Sequence, residues 1–291
     1  MKEILKKVQK IDILLRRKVN TVFAGDYRSA FKGQGMVFSD FREYVPGDDI
    51  RSISWNLTAK MSQPYIKTFE EDREARIILA LDISSSMNFG TGEHSKLSAL
   101  RVLSSVIAFS SQKNKDLLGL LLFSDDIELY VPPKKGAQHG LRIVRDIYNF
   151  KRKSTKTNME KALSFLYKLL KKRSHIFIFS DFLDSSFEKS MQTLSQKHNV
   201  VNLIFSDAFE KEIPPLGLVD IEDIETGELK TIDFSSPFFQ KEFKAAVKEK
   251  IKQRNKQLAK SQCEQIFIDC QKDIYKPLIH FFQKKKKALV S

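Results

Sequence analysis

The chain has 291 residues, of which 42% are hydrophobic and 30% are charged, a balance typical of a globular protein with a substantial core. No apolar run approaches the ~18 residues of a membrane-spanning helix, and the lysine-rich start lacks the apolar centre of a signal peptide, so we expect a cytoplasmic location. Lysine and arginine outnumber the acids by 50 to 36, and the net charge of +14 permits binding to nucleic acid, anionic lipid or an acidic protein, although lysine runs also occur as solvated helix faces.

Residues 1–74 are predicted to form a region separate from the rest of the chain. Apolar positions at helical spacing indicate an amphipathic helix over residues 1–19, which either docks on the core or presents a surface to a partner. Glycine and proline break residues 20–74 into short pieces, among them 36–38 and 50–55, that favour strands and turns. The sequence therefore predicts a small β-rich subdomain after the helix.

The segment 38–56 is unusually dense in acids, arginines and aromatic residues. Pro46-Gly47 fits a type II turn, in which glycine supplies the positive φ. Arg42 has several acids nearby as ion-pair partners, so the segment is predicted to be a polar turn held by arginine–carboxylate pairs. Trp55 is the only tryptophan, and we expect it to be at least partly buried as structural support for the sheet.

From Ala75 onward, strand-like and helix-like stretches alternate over residues 75–291. This alternation predicts an α/β domain with a doubly wound, mostly parallel sheet and helices on both faces. An alternating run that meets Pro132-Pro133 is predicted to be an edge strand. The other predicted strands are 77–81, 117–123, 176–179, 200–205 and 266–268, the helices include 140–148, 159–170, 187–196, 239–251 and 275–282, and a hairpin spans 219–234 with its turn at 225–228.

Three polar loops follow, or lie close to, the carboxyl ends of the predicted parallel strands. Asp82, Ser84 and Ser86 directly follow the first buried strand, a threonine pair precedes the 159–170 helix, and Asp181 follows the third strand. Open α/β sheets bind ligands at this edge, and carboxylate and hydroxyl oxygens suit octahedral Mg²⁺, with Mn²⁺ and Ca²⁺ as alternatives. The alternative is that Asp82 and the serines only cap the next helix.

This pattern resembles the von Willebrand factor A fold and its metal-ion-dependent adhesion site, D-x-S-x-S…T…D. The resemblance assigns Asp82, Ser84, Ser86 and Asp181 as metal ligands, together with Thr157. Thr157 matches the family better than Thr155 because Leu163 lies six residues further on, where the family spacing has an apolar helix position. Many such domains have T-D-G where this chain has Ser180-Asp181-Phe182, so Phe182 is expected to narrow the surface beside the metal.

The resemblance extends further in one bacterial branch, the family called domain of unknown function 58. Residues 35–56, 64–67 and 69–71 are similar to its diagnostic segments. Relatives of this branch are commonly associated with AAA+ ATPases of the MoxR type. The resemblance therefore implies a cytoplasmic, non-enzymatic adaptor or co-chaperone that holds an acidic residue of such an ATPase at its metal.

Enzyme interpretations find less support in the sequence. There is no phosphate-binding G-x-x-x-x-G-K-[ST], no H-E-x-x-H and no G-x-S-x-G, and the five histidines lack ligand spacing. Cys263 and Cys270 are predicted to be buried thiols rather than a disulfide or a zinc site. Two alternatives remain: a nucleic-acid-binding protein that uses the positive charge, and a metal-dependent hydrolase.

Overall fold

A computed structural model describes residues 36–61, 63–71, 75–90, 95–151, 154, 156–184, 187–211, 214–222 and 229–290. The predicted helix over residues 1–19 and the predicted hairpin turn at 225–228 lie outside these ranges. The described chain falls into two compact units, a small one within Phe31–Ala75 and a large one over Arg76–Ser291.

The small unit is built on two antiparallel strands, β1 (Met36–Glu43) and β2 (Tyr65–Glu71). Gly47 has φ +111°, and the Asp48 N–H donates to the Val45 carbonyl at 3.0 Å, so the predicted turn is present. The Arg42 guanidinium binds both carboxylate oxygens of Asp48, at 2.7 and 2.8 Å. The predicted arginine–carboxylate staple is therefore present, on an exposed turn.

Two expectations for the small unit are wrong. The stretch predicted as strand and turn forms a 3₁₀ turn over Ile50–Ser52, because the Asp49 carboxylate accepts the Arg51 N–H at 2.9 Å and starts the turn. A helix, α1 (Trp55–Met61), follows directly. Trp55 is 67% exposed rather than buried. Ile66 of β2, only 4% exposed, is a buried apolar side chain of this unit.

The large unit contains a six-stranded sheet in the order β10-β7-β6-β3-β4-β5, in which only the β4–β5 pair is antiparallel. The α/β fold with a mostly parallel sheet is thus as predicted. Its elements are β3 (Arg76–Asp82), α2 (Lys96–Lys113), β4 (Leu117–Phe123), β5 (Ile127–Lys134), α3 (Ala137–Asn149), α4 (Met159–Leu169), β6 (His175–Ser180), α5 (Glu188–Lys197), β7 (Asn199–Ser206), α6 (Ala208–Lys211), β8 (Leu218–Glu222), β9 (Leu229–Asp233), α7 (Pro237–Lys260), β10 (Glu264–Asp269) and α8 (Tyr275–Val290).

The central strands are buried on both faces. Ile77 and Leu79 of β3 point to one face, Ile78 and Ala80 point to the other, and all four are at most 1% exposed. The second face packs against α4, α5 and Leu258 of α7, whereas α2 packs on β3 and β4. This double coverage explains why the strands read as continuous apolar runs in the sequence.

The sheet is bounded by strands of different character. β5 is an edge strand, as its prolines predict, and it runs antiparallel to β4. β8 and β9 form the predicted hairpin as a separate two-stranded sheet.

Cys263 and Cys270 are free thiols. Among the helices that the structure describes, none combines the length and the apolar character needed to cross a membrane.

Candidate metal centre

Asp82 is the last residue of β3, and its side chain is completely buried at the carboxyl edge of the sheet. One carboxylate oxygen accepts the Ser84 N–H at 2.9 Å, and the other accepts the Ser180 hydroxyl at 2.6 Å. The first bond closes the loop after β3 on itself, and the second ties it to the end of β6. The carboxylate is therefore held in one orientation from two sides.

The serine hydroxyls of this loop lie together. Ser84 Oγ and Ser86 Oγ are 3.1 Å apart, so two oxygen ligands lie beside the buried carboxylate. The alternative that Asp82 and these serines cap the next helix is wrong. Ser84 makes no side-chain capping bond to the 3₁₀ turn Ser85–Asn88, and α2 is capped by Ser95, which accepts the Ser98 N–H at 3.2 Å.

Asp181 directly follows β6 and is 3% exposed. One of its carboxylate oxygens accepts a hydrogen bond from the Lys96 ammonium group at 2.8 Å, and the other accepts the Leu183 N–H at 3.3 Å. Lys96 also pairs with the carboxylate of Glu210 on α6. The predicted ligand Asp181 is thus already engaged by a cation of the protein itself.

Lys96 is the largest fully buried side chain of the described protein. Burial alone would lower its pKa, but the charges of Asp181 and Glu210 more than offset this, and the pKa is raised. Arg254 of α7, 8% exposed, donates to the Asp181 main-chain carbonyl at 3.2 Å. Two buried cations therefore belong to this cluster.

Charge is unevenly balanced within the cluster. The carboxylates of Asp82, Asp181 and Glu210 stand against the cations of Lys96 and Arg254, which leaves one net negative charge among these five groups. The pKa of Asp82 is raised to about 6, first by its burial and then by the charge of Asp181. A cation bound beside Asp82 would favour the charged form of this carboxylate and so lower the pKa again.

Thr157 lies in the segment before α4, at the same edge of the sheet. The next residue, Asn158, donates its N–H to the carbonyl of Ser124, which follows β4, at 2.8 Å. The Met159 N–H donates to the carboxylate of Asp184, beyond β6, at 2.9 Å. These backbone contacts bring the segment to the edge that holds Asp82. Thr155 lies outside the described residues.

Phe182 does not narrow the surface beside Asp181, so that expectation is wrong. Its side chain is 1% exposed and packs edge-on against Phe187, with ring centroids 5.6 Å apart. The backbone turns inward because Phe182 has φ +54° and its N–H donates to the Ser180 hydroxyl at 3.0 Å. Among the described residues of this loop, Leu183 is the exposed one, at 51%.

The residues at this edge suit a hard divalent cation. The possible ligand atoms are all oxygen, from one buried carboxylate and two adjacent hydroxyls, and a cation would oppose the effects of burial and of the Asp181 charge on Asp82. The described residues hold no group of three or more His, Cys, Asp or Glu arranged for a metal, so the hydroxyls are essential to this assignment. The pairing of Asp181 with Lys96 makes Asp181 the least available of the predicted ligands.

The sequence analysis missed Lys96, Glu210 and Arg254. One signal was present: Lys96 is three, four and seven residues before Ala99, Leu100 and Leu103, so it lies on the buried stripe of its helix. A lysine in phase with such a stripe is rarely buried without an acidic partner. Nothing local identifies Glu210 or Arg254, which are 114 and 73 residues from their partners in the cluster.

Solved structures with detectable likeness are distant. The hypothetical protein BatB of Bacteroides thetaiotaomicron is 16% identical with a TM-score of 0.49, over 73% of this chain and 99% of that one. An aerotolerance-related membrane protein of Bacteroides fragilis gives 16% and 0.47, over 74% and 99%. The von Willebrand A domain of SpRpn10 gives 12% and 0.37, over 73% and 93%.

Sequence relatives are closer. Uncharacterized proteins of Mycobacterium bovis and Mycobacterium tuberculosis are 26% identical over 223 residues, which is 76% of this chain and 70% of theirs. Residues 40–253 match a single family, and this range contains the loops of Asp82 and Asp181 as well as Lys96. The chain belongs to the family described as Protein of unknown function DUF58.

Proposed function

We propose that this protein is a non-enzymatic, metal-dependent interaction module. The observation that carries the proposal is the buried Asp82 carboxylate beside the paired hydroxyls of Ser84 and Ser86, 3.1 Å apart. Mg²⁺, or Mn²⁺ or Ca²⁺ in its place, would be held by these three residues with Thr157 and Asp181. A bound divalent ion would supply a coordination position for a carboxylate of another protein.

The charge balance supports an acidic partner. A divalent ion would add two positive charges beside the carboxylates of Asp82 and Asp181, and its open coordination position would favour a negatively charged ligand. The overall charge of +14 would attract an acidic surface at longer range. We propose an AAA+ ATPase of the MoxR type as that partner, acting with this protein in the cytoplasm, on the resemblance described above.

The position of the two histidines with lowered pKa values, His175 and His198, supports a non-catalytic role. His175 begins β6 and His198 directly precedes β7, so both lie at the opposite edge of the sheet from Asp82. Burial is the main cause that lowers the pKa of each to about 4. Neither histidine can act as a general base on a group bound at Asp82, because hydrogen-bond reach is required for that role.

The metal assignment is tested by thermal unfolding with and without Mg²⁺. A ligand that binds only the folded state stabilises it by mass action, so Mg²⁺ should raise the melting temperature of the wild type. Asp82→Asn keeps the shape and should remove the increase. Asp220→Asn, on the separate hairpin, is the matched control and should respond like the wild type. Equal stabilisation of Asp82→Asn would show that the ion binds elsewhere.

The partner assignment is tested by binding to the cognate ATPase with Mg²⁺ and with EDTA. We expect binding that is lost in EDTA and in Asp82→Asn, and no ATP turnover by this chain alone. Equal binding in EDTA would contradict the adaptor role, and turnover that disappears in Asp181→Ala would favour a hydrolase. Binding to DNA with a log–log salt slope steeper than about −4 would favour a nucleic-acid-binding protein instead.

A further inference from the structure

Among the described residues, three segments that border the cluster, two loops and the short helix α6, each carry an exposed large apolar side chain. Phe89 is 44% exposed, Leu183 is 51% exposed and Phe209 is 36% exposed, and we call these three residues the apolar rim. They follow β3, β6 and β7, which are adjacent in the sheet. Because neighbouring strands are about 4.8 Å apart, the three segments leave the same edge of the sheet side by side.

Each rim residue is connected to the buried ion pairs through its own backbone. The Phe89 carbonyl accepts the Lys96 N–H at 3.0 Å, and the Leu183 N–H donates to the Asp181 carboxylate at 3.3 Å. Phe209 precedes Glu210, the second carboxylate partner of Lys96. Lys96 thus joins the three segments, and the rim is held in place in the absence of a partner.

Single exposed apolar side chains are ordinary on a protein surface, and this chain has others on α3 and α7. The rim differs in its location, because all three members lie on segments that carry or adjoin buried charges. An apolar border around a polar centre excludes water from that centre, and exclusion of water strengthens a charge contact made there.

We propose that the apolar rim is the docking surface for a partner segment in which an acidic residue is flanked by large apolar side chains. The inference rests on the proposed function, since the acidic residue is the one directed at the metal. It adds the chemistry of the flanking residues, which would pack on Phe89, Leu183 and Phe209 while the carboxylate enters between them. The occupant is a segment of another protein.

Three synthetic peptides of equal length test this in the presence of Mg²⁺, by fluorescence anisotropy. The first has glutamate between leucine and phenylalanine, the second has glutamate between serines, and the third has glutamine between leucine and phenylalanine. We expect the first to bind at least about tenfold more tightly than the second, a difference that burial of two large apolar side chains can supply. The third reports on the carboxylate alone.

Variants of the protein locate the contact. Leu183→Ser and Phe209→Ser should reduce the affinity for the first peptide to that for the second. Leu141→Ser on α3 and Phe238→Ser on α7 remove side chains that are 42% and 71% exposed elsewhere, and they should change nothing.

The outcomes separate the two proposals. Equal binding of the first and second peptides overturns the docking role of the rim and leaves the metal-dependent carboxylate contact standing. Equal binding of the first and third peptides overturns the proposed function, because it shows that the carboxylate adds nothing to the affinity. Even then, the docking role of the rim stands if Leu183→Ser and Phe209→Ser weaken the binding of both peptides. The absence of measurable binding by any peptide, or the same effect in rim and control variants, overturns the rim.

Discussion

Two ion pairs of this protein have nearly the same geometry in opposite surroundings. Arg42 and Asp48 meet at 2.7 Å on the exposed turn of the small unit, where their side chains are 48% and 20% exposed. Lys96 and Asp181 meet at 2.8 Å at the sheet edge, where their side chains are 0% and 4% exposed. The exposed pair staples a turn in water, and the buried pair is part of a charge cluster that water cannot screen.

The comparison shows that density of charge along the sequence does not locate the chemistry. The segment 38–56 has the most conspicuous charges of the chain, yet its pair lies in solvent, where an ion pair contributes little. The loops of Asp82 and Asp181 look unremarkable one at a time, and the fold brings them together. Burial makes the difference, so the sharpest experiments compare a buried group with an exposed group of the same kind.

The largest effect is expected from breaking the buried pair. Lys96→Met should destabilise the α/β unit by about 3 to 5 kcal/mol, because it leaves the carboxylates of Asp181 and Glu210 without their cation. Arg42→Met should leave the unfolding of the small unit almost unchanged. Urea unfolding followed by far-ultraviolet circular dichroism reports mainly the helical α/β unit, and hydrogen exchange of the β1 and β2 backbone amides reports the small one. Similar losses in both variants would contradict the comparison.

Asp82→Asn should stabilise the metal-free protein by about 2 kcal/mol at neutral pH. The Asp82 pKa is about 6 in the folded state against an ordinary 3.8, so the folded state binds more protons between these values and stability falls as pH rises through them. Asparagine has no such penalty, although its single side-chain oxygen can accept only one of the two hydrogen bonds that Ser84 and Ser180 donate to the carboxylate.

Chemical denaturation in EDTA at pH 5 and pH 7.5 measures this effect. The increase in unfolding free energy of Asp82→Asn over the wild type should be larger at pH 7.5 than at pH 5. Added Mg²⁺ should then stabilise the wild type and leave the variant where it was. A variant that is less stable than the wild type in EDTA at both pH values would show that the buried Asp82 carboxylate does not destabilise the folded state.

The loss of folding stability at acid pH should come from His198 rather than from an exposed histidine. His198 is 1% exposed, its ring nitrogens have no hydrogen-bond partner in the described structure, and its pKa is about 4 against an ordinary 6.5. The unfolded state therefore binds the proton first, and stability is lost as pH falls from 6.5 toward 4. The loss at pH 5 is about 2 kcal/mol for this group.

His198→Met should reduce the loss of stability between pH 7 and pH 5 without abolishing it, because His175 has a similarly lowered pKa. His280 is exposed, so His280→Met is the control and should retain the pH dependence of the wild type. Urea unfolding of the wild type and of both variants between pH 7 and pH 5 measures this difference. An unchanged slope in His198→Met would place the acid sensitivity elsewhere.

The smallest effect is expected at Trp55. Its fluorescence should resemble that of an indole in water and be strongly quenched by iodide, because the side chain is 67% exposed. Trp55→Ser should change the stability of the small unit by less than about 0.5 kcal/mol, as is usual for surface positions. Ile66→Ser in the same unit removes a buried side chain and should cost several times more. Blue-shifted, unquenched emission would contradict the exposure of Trp55.

These contrasts also show what the sequence can reveal. The strands 77–81 and 176–179 were predictable because a strand covered on both faces must be apolar throughout, and such a run is local. The polar residues that end them were predictable as neighbours, since parallel strands end at the same edge. Whether Asp82, Ser84, Ser86, Thr157 and Asp181 bind a metal stays a prediction.

The errors have a common physical origin. The sequence does not show which way a side chain turns when the backbone leaves regular structure. Phe182 turned inward because its φ is +54°, and Trp55 faces solvent because a helix begins at that residue where strand and turn were expected. Lys96 points into the protein because two carboxylates from distant loops meet it there. Long-range partners of this kind leave no local pattern.

The prolines of β5 have a consequence for self-association. An edge strand offers unpaired backbone donors to any other strand, which is a route to aggregation. Pro132 and Pro133 are consecutive in β5 and neither can donate a backbone hydrogen bond. The β4–β5 register also shifts at these residues, so the strand is irregular where an incoming strand would have to pair. The sheet therefore resists growth at this edge without a charged side chain having to guard it.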